Sequence, residues 1–186
     1  AALREALDAI EADARAVAGG LTEARGQWRP TPGAWSVAEC LDHLATANGV
    51  YLDAMRPPAE RALAGGRMRL VPARPGVLGR WFVRVLEPPV TRRGRAPRAI
   101  RPRPDPPLAD AFARFLASHE ATRLFLERFG GIDLAGVRFP NPFVPGVRFS
   151  LATGLHVIAA HDRRHLWQAW NVRREAERAA GVTSGS

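Results

Sequence analysis

Cysteine is almost absent: Cys40 stands alone in 186 residues. One thiol cannot close an intramolecular disulfide, which points to a reducing compartment, and it cannot furnish a cysteine-rich structural zinc site. Lysine is missing altogether, so all 27 basic residues are arginine, the mark of codon usage in a GC-rich genome rather than of a particular chemistry. No apolar run approaches the roughly 18 residues that a membrane span requires. The opening stretch, AALREALDAIEADARA, is amphipathic and acidic, unlike a signal peptide. The chain therefore reads as soluble and cytoplasmic, without a membrane partner.

What is present is ordinary for a globular protein. A hydrophobic fraction of 46% argues against global disorder. The length suits one domain over residues 1–186, able to bury about 70% of its unfolded surface. The net charge of +9 is uneven: residues 56 to 104 hold 13 arginines against Glu60 and Glu87, a balance of +11, and the rest of the chain is slightly acidic.

Apolar periodicity predicts four long helices. Leu3, Leu7, Ile10, Ala14 and Val17 recur at spacings of 3 and 4 over residues 2 to 18, and Gly19-Gly20 stops the run. A second helix opens on Ser36-Val37-Ala38-Glu39, a capping box in which the Ser36 hydroxyl accepts from the Glu39 amide and the Glu39 carboxylate reaches back. Trp35 before it can staple onto Cys40. This helix carries His43 and is expected to end near Met55, before Pro57-Pro58. Residues 56 to 104, with nine prolines, read as a long crossover holding a short helix in GVLGRWFVRVLE, whose face would be Leu78, Trp81, Phe82 and Val85. A third helix is predicted over Leu108–Phe129 and a fourth over about Ser150 to Arg178. Between them lies an aromatic, proline-rich loop at 132–149, and the tail GVTSGS is expected to fray. With no strand alternation, the expected class is all-α, a four-helix bundle.

The fourth helix holds the chemistry. In LHVIAAHDRRHLWQ, His161 and His165 are four residues apart, which sets two imidazoles one turn apart on one face, about 6 Å between Cβ atoms. That face is also the apolar stripe, so the two rings either satisfy one another in the core or bind something. Bundle cores are where inward side chains of facing helices build metal sites, and His43 is the natural third ligand. Three neutral imidazoles hold Zn2+ or Ni2+ and leave a coordination position open.

Other residues carry two readings each. Glu39 and Asp162 are candidates to orient a ligand imidazole from behind. Equally, Glu39 is a capping residue and Asp162 a solvated partner of neighbouring arginines. Cys40 can face the site or serve as a small buried hydrophobe. His119 lies at the edge of the third helix's stripe, within reach of a fourth-ligand role. His156, roughly 140° around the helix from His161, faces elsewhere.

WSVAECLDHL (Trp35 to Leu44), followed far downstream by HDRRHLWQ (His161 to Gln168), resembles the DinB-like superfamily, also called the DinB/YfiT-like metalloenzymes. The resemblance extends over most of the chain, as a W-S-x-x-E-x-x-x-H-L helix, a crossover, and a last helix with H-x-x-x-H. The stretch 56–104 is longer than in a compact member. What the resemblance implies is an up-down-down-up bundle with a divalent metal on His43, His161 and His165. It also implies frequent homodimers and, among members with an assigned activity, thiol-dependent transferases and a related isomerase.

Such chemistry would act on a small molecule, with a low-molecular-weight thiol as cosubstrate. A bound cation favours the nucleophilic thiolate, or lowers the pKa of water to about 7 for hydrolysis. Two other classes remain: a metal-binding bundle without catalysis, and a nucleic-acid or regulatory module using the arginines around Trp81 and Phe82. Prolines prevent a regular basic helix there, which weighs against nucleic acid. The same arginines can dock an anionic cosubstrate.

Overall fold

A computed structural model of the chain describes residues 2–89 and 96–183, so Arg92, Arg93, Arg95 and the end of the expected tail lie outside the described residues. The protein is mostly helical. The order is α1 (Ala2–Ala18), α2 (Glu23–Gln27), α3 (Val37–Ala64), α4 (Val77–Leu86), a 3-10 turn at Arg98–Ile100, α5 (Leu108–Phe129), β1 (Arg138–Pro140), β2 (Arg148–Ser150) and α6 (Leu151–Thr183). Helix α3 packs on both α5 and α6, α1 also packs on both, and α4 lies on α6.

The capping box forms as its residues dictate. The Glu39 amide donates to Ser36 Oγ at 3.1 Å, and the Ser36 amide donates to Glu39 Oε2 at 2.9 Å. The end of that helix is a correction: α3 does not stop at Met55 but runs through Pro57 and Pro58 to Ala64. Prolines inside a helix forfeit amide donors and cost roughly 3 kcal/mol or more. What offsets this is a buried stripe (Met55, Pro58, Ala59 and Ala62) that continues the apolar face onto Phe125, Phe129 and Ile132.

The short helix of the crossover also departs from expectation in the face it buries. Gly79, Phe82, Val83 and Leu86 turn toward α6, while Leu78, Trp81 and Val85 stay exposed. Gly79 explains the choice. A Cβ there would sit 2.5 Å from Thr153 Oγ1, so only glycine lets α4 approach α6 this closely. The 132–149 loop is ordered by a small antiparallel pairing, with Phe139 opposite Phe149 and Asn141 Oδ1 accepting from the Phe143 and Val144 amides. Strands of three residues are too short to show a two-residue period in sequence.

Two apolar clusters fill the interior. One surrounds Met55, Phe129, Phe139 and Leu155; the other surrounds Ile10, Leu41, Phe115 and Leu166. Between them lies a buried polar layer. Asn48 Nδ2 donates to Asp162 Oδ1 at 3.1 Å, the His119 ring lies 3.8 Å from Asp162 Oδ2, and His119 Nε2 is 2.8 Å from the Leu7 carbonyl. The layer therefore draws on α1, α3, α5 and α6 together.

Gly154 tests how tightly α6 is seated. A Cβ there would meet Met55 Sδ at 2.4 Å and the Phe139 ring at 2.9 Å. Overpacking of this kind costs roughly 1–3 kcal/mol. Gly154→Ala is therefore expected to lower the thermal midpoint by roughly 2–10 °C, read by circular dichroism. An unchanged midpoint would mean the contact relaxes freely.

Candidate metal centre

Helix α3 supplies His43, and one face of α6 supplies His161 and His165. The three converge: ring centroids lie 5.0 Å apart for His43 and His161, 4.5 Å for His43 and His165, and 4.6 Å for His161 and His165. One ring nitrogen from each falls within 4.8 Å of the other two. His43 and His165 are buried and His161 is half-buried.

The His43 and His161 Nε2 atoms are 3.3 Å apart. Two nitrogens bound to one tetrahedral Zn2+ at 2.0–2.1 Å would be separated by about 3.3 Å, so this pair already has the spacing an ion needs. The donor set, three imidazoles without cysteine or carboxylate, suits Zn2+ or Ni2+.

The outward nitrogens fix the tautomers. His43 Nδ1 lies 2.5 Å from the Ile100 carbonyl, which can only accept, so Nδ1 carries the proton and Nε2 turns its lone pair inward. His165 Nδ1 is 3.1 Å from Gln168 Oε1, the same arrangement with an amide as acceptor. Trp35 roofs the cluster, its ring 4.7 Å from His43 and 5.6 Å from His165. Neither Ile100 nor Gln168 nor Trp35 was expected as a site residue. Ile100 acts through its backbone and has no side-chain signature, whereas Gln168 at i+3 from His165 was readable.

Next to His43, Asp42 anchors the end of the crossover. Its buried carboxylate accepts from the Arg103 amide at 2.8 Å and from Arg103 Nε at 2.9 Å, and it pairs with Arg114. Burial pushes the Asp42 carboxyl up, but the Arg103 side-chain and backbone bonds and both arginine charges outweigh it and hold it below the ordinary range. Residues 100 and 103 are thus pinned to residues 43 and 42, which sets the Ile100 carbonyl behind the His43 ring.

The remaining candidates have other partners. Glu39 is taken by the cap and by Arg29, at 2.8 Å and 2.9 Å. Asp162 is taken by Asn48 and His119 in the polar layer. His119 lies in that layer rather than beside the three imidazoles, and His156 also stands outside the cluster, where burial and the Arg163 charge push its pKa down. Cys40 packs in the apolar core, and burial pushes its thiol up, so it is no thiolate at neutral pH.

Burial is the first cause of a lowered pKa at all three cluster histidines. His161 is pushed down to about 3, with the His43 ring and Arg164 adding to the effect. His165 is pushed well below its usual value, also by His161, His43 and Arg164, although Gln168 opposes. His43 is lowered less freely, because the Ile100 bond and Asp42 favour its charged form. Neutral rings are what a metal requires.

Histidines depressed when folded leave the unfolded chain binding more protons below its pKa of about 6.5, so stability is intact above that pH and is lost as pH falls toward 3. Burial raises Asp162, which acts in the opposite direction, but one carboxyl opposes several rings. His161 alone is expected to cost metal-free protein roughly 1 kcal/mol per pH unit well below pH 6.5, with His43 and His165 acting in the same direction, measured by urea unfolding at pH 7 and pH 5. Equal midpoints at the two pH values would show that the rings protonate in place.

The protein is mostly helical, and two of its long helices bring three histidines, two buried and one half-buried, to one point. The family model of the DinB superfamily matches residues 6–169. The chain belongs to the DinB superfamily. No curated protein matches it. Among the described residues no helix is long and apolar enough to cross a membrane.

Proposed function

We propose that the four long helices form the up-down-down-up bundle and that the protein is a metal-dependent enzyme on small molecules. In this reading a low-molecular-weight thiol is transferred to an electrophile, or a small ester is hydrolysed. The observation that carries it is the convergence of His43, His161 and His165 with two of their outward nitrogens already bonded. Three protein ligands leave a fourth position open, the arrangement of catalytic rather than structural sites.

When bound, a Zn2+ or Ni2+ ion supplies a Lewis acid that favours thiolate over thiol or lowers the pKa of water. The protein's own part is positional. Ile100 and Gln168 hold two rings in one tautomer, Trp35 covers the cluster, and the half-buried His161 stands on the open side. Cys40 is too deeply buried to act as nucleophile, which supports a nucleophile brought from outside the chain.

One observation favours a second reading, a metal-binding bundle without catalysis. A surface cleft lined by Arg15, Leu21, Leu108 and Phe112 lies away from the histidines. A panel of low-molecular-weight thiols with electrophiles, and of small esters, separates the two. The enzyme reading expects turnover that a chelator abolishes and Zn2+ or Ni2+ restores. Stoichiometric metal without turnover on any of them would favour the second reading.

A further inference from the structure

Most of the large apolar side chains exposed among the described residues fall in one stretch, Met68 to Val85: Leu70 is 94% exposed, Val77 77% and Trp81 61%. Helix α4 lies at its centre. At 100° per residue, Val77, Trp81, Val85 and Leu78 occupy an outer arc of about 100°, and Phe82, Leu86, Gly79 and Val83 the next. Arg80 and Arg84 fill the remainder. The inner arc is covered by α6 and β2, with Gly79 against Thr153 of α6 and the Phe82 ring 5.1 Å from Phe149 of β2. Just past its C-terminus, Glu87 is held by Arg163, with Nε at 2.9 Å. The outer arc faces solvent. A surface helix needs one apolar stripe to be held, and this one has a second.

Charge narrows the occupant. From Ala62 to Leu86 the sequence has no acidic residue and five arginines; Arg67 is paired with Asp133, while Arg80 and Arg84 lie on α4 itself, beside its exposed apolar arc. The partner must be apolar and anionic at once. A second copy would set these arginines against themselves. A peptide would want a groove, whereas the outer arc of α4 is an exposed ridge on the surface of the helix. An exposed apolar ridge bordered by arginine, with a tryptophan within it, matches the headgroup boundary of a bilayer, where apolar side chains enter and guanidinium groups meet phosphates.

We propose that the outer arc of α4 docks this protein on an anionic lipid surface. The expectation of no membrane partner rested on the lack of a span, and a helix lying in the interface needs none.

The test is sedimentation of the full chain with vesicles of phosphatidylglycerol and phosphatidylcholine in equal parts, against phosphatidylcholine alone, at low and high salt. Binding to the anionic vesicles is expected, weakened by salt. It should fall about tenfold in Trp81→Glu, an exposed site whose substitution should leave the thermal midpoint and metal content unchanged. No binding at low salt overturns the proposal, as does equal binding to neutral vesicles or binding that Trp81→Glu leaves intact. A dimer that Trp81→Glu dissociates, without vesicle binding, gives the face to a second copy instead. Arg80→Glu with Arg84→Glu is a second variant with the same expectation, should Trp81→Glu fail to fold.

Discussion

Replacing His161 with alanine is expected to end stoichiometric metal binding while leaving the protein folded. The ring is half-buried and contributes a nitrogen 3.3 Å from that of His43, so its loss removes one of three donors from a site that has none to spare. Loss of a partner behind a ligand typically costs 10–100-fold in metal affinity, and loss of a ligand itself should exceed roughly a hundredfold. The measurement is metal content and chelator competition on protein made without a histidine tag, with circular dichroism as the folding control. Full metal stoichiometry in the variant would mean that the ion binds elsewhere and that the cluster is three core histidines in mutual contact.

Asp42→Asn is expected to act on both stability and metal affinity. It removes a buried carboxylate that receives bonds from Arg103 and pairs with Arg114. Both guanidinium groups are more than one-third exposed, so water screens much of the charge attraction and the surviving arginines can turn outward. The buried backbone bond still makes the loss roughly 2 kcal/mol, or roughly 4–8 °C in midpoint. Because the folded carboxyl is held low, its contribution is present above a pH of about 4 and disappears as pH falls below that, so the variant should differ least from the parent in acid.

The metal readout separates positioning from packing. Freeing residues 100–103 loosens the carbonyl behind His43, with about tenfold weaker binding expected. Arg114→Met also weakens the Asp42 cluster but leaves the Arg103 bonds in place, and should lower stability without changing metal affinity. If both variants lose affinity equally, the crossover has no particular hold on His43.

The parts of this site legible in the sequence were those encoded within one turn of helix. The Ser36 and Glu39 box needs only its own four residues, and the His161 and His165 spacing needs only helical geometry. His43 followed from the apolar face it shares. What escaped depended on packing between segments. Pro57 and Pro58 signal a helix end locally, and only the burial of Pro58, Ala59 and Ala62 against α5 overrides that. The face chosen by α4 was decided by Gly79 meeting Thr153, a contact 74 positions apart in the chain. The Ile100 carbonyl was invisible because every residue has one.

The layer of Asn48, His119 and Asp162 has a consequence for the site beside it. Sliding α6 by one turn along α3 would carry Asp162 about 5.4 Å from Asn48 and strand a carboxylate between two apolar clusters, a penalty far above that of any shifted leucine. The same slip would move His161, the residue just before it, by more than the 4.8 Å span of the three nitrogens. Asp162 thus works as an indexing pin: by allowing α6 only one axial setting, it delivers both histidines of that helix to the depth at which His43 waits.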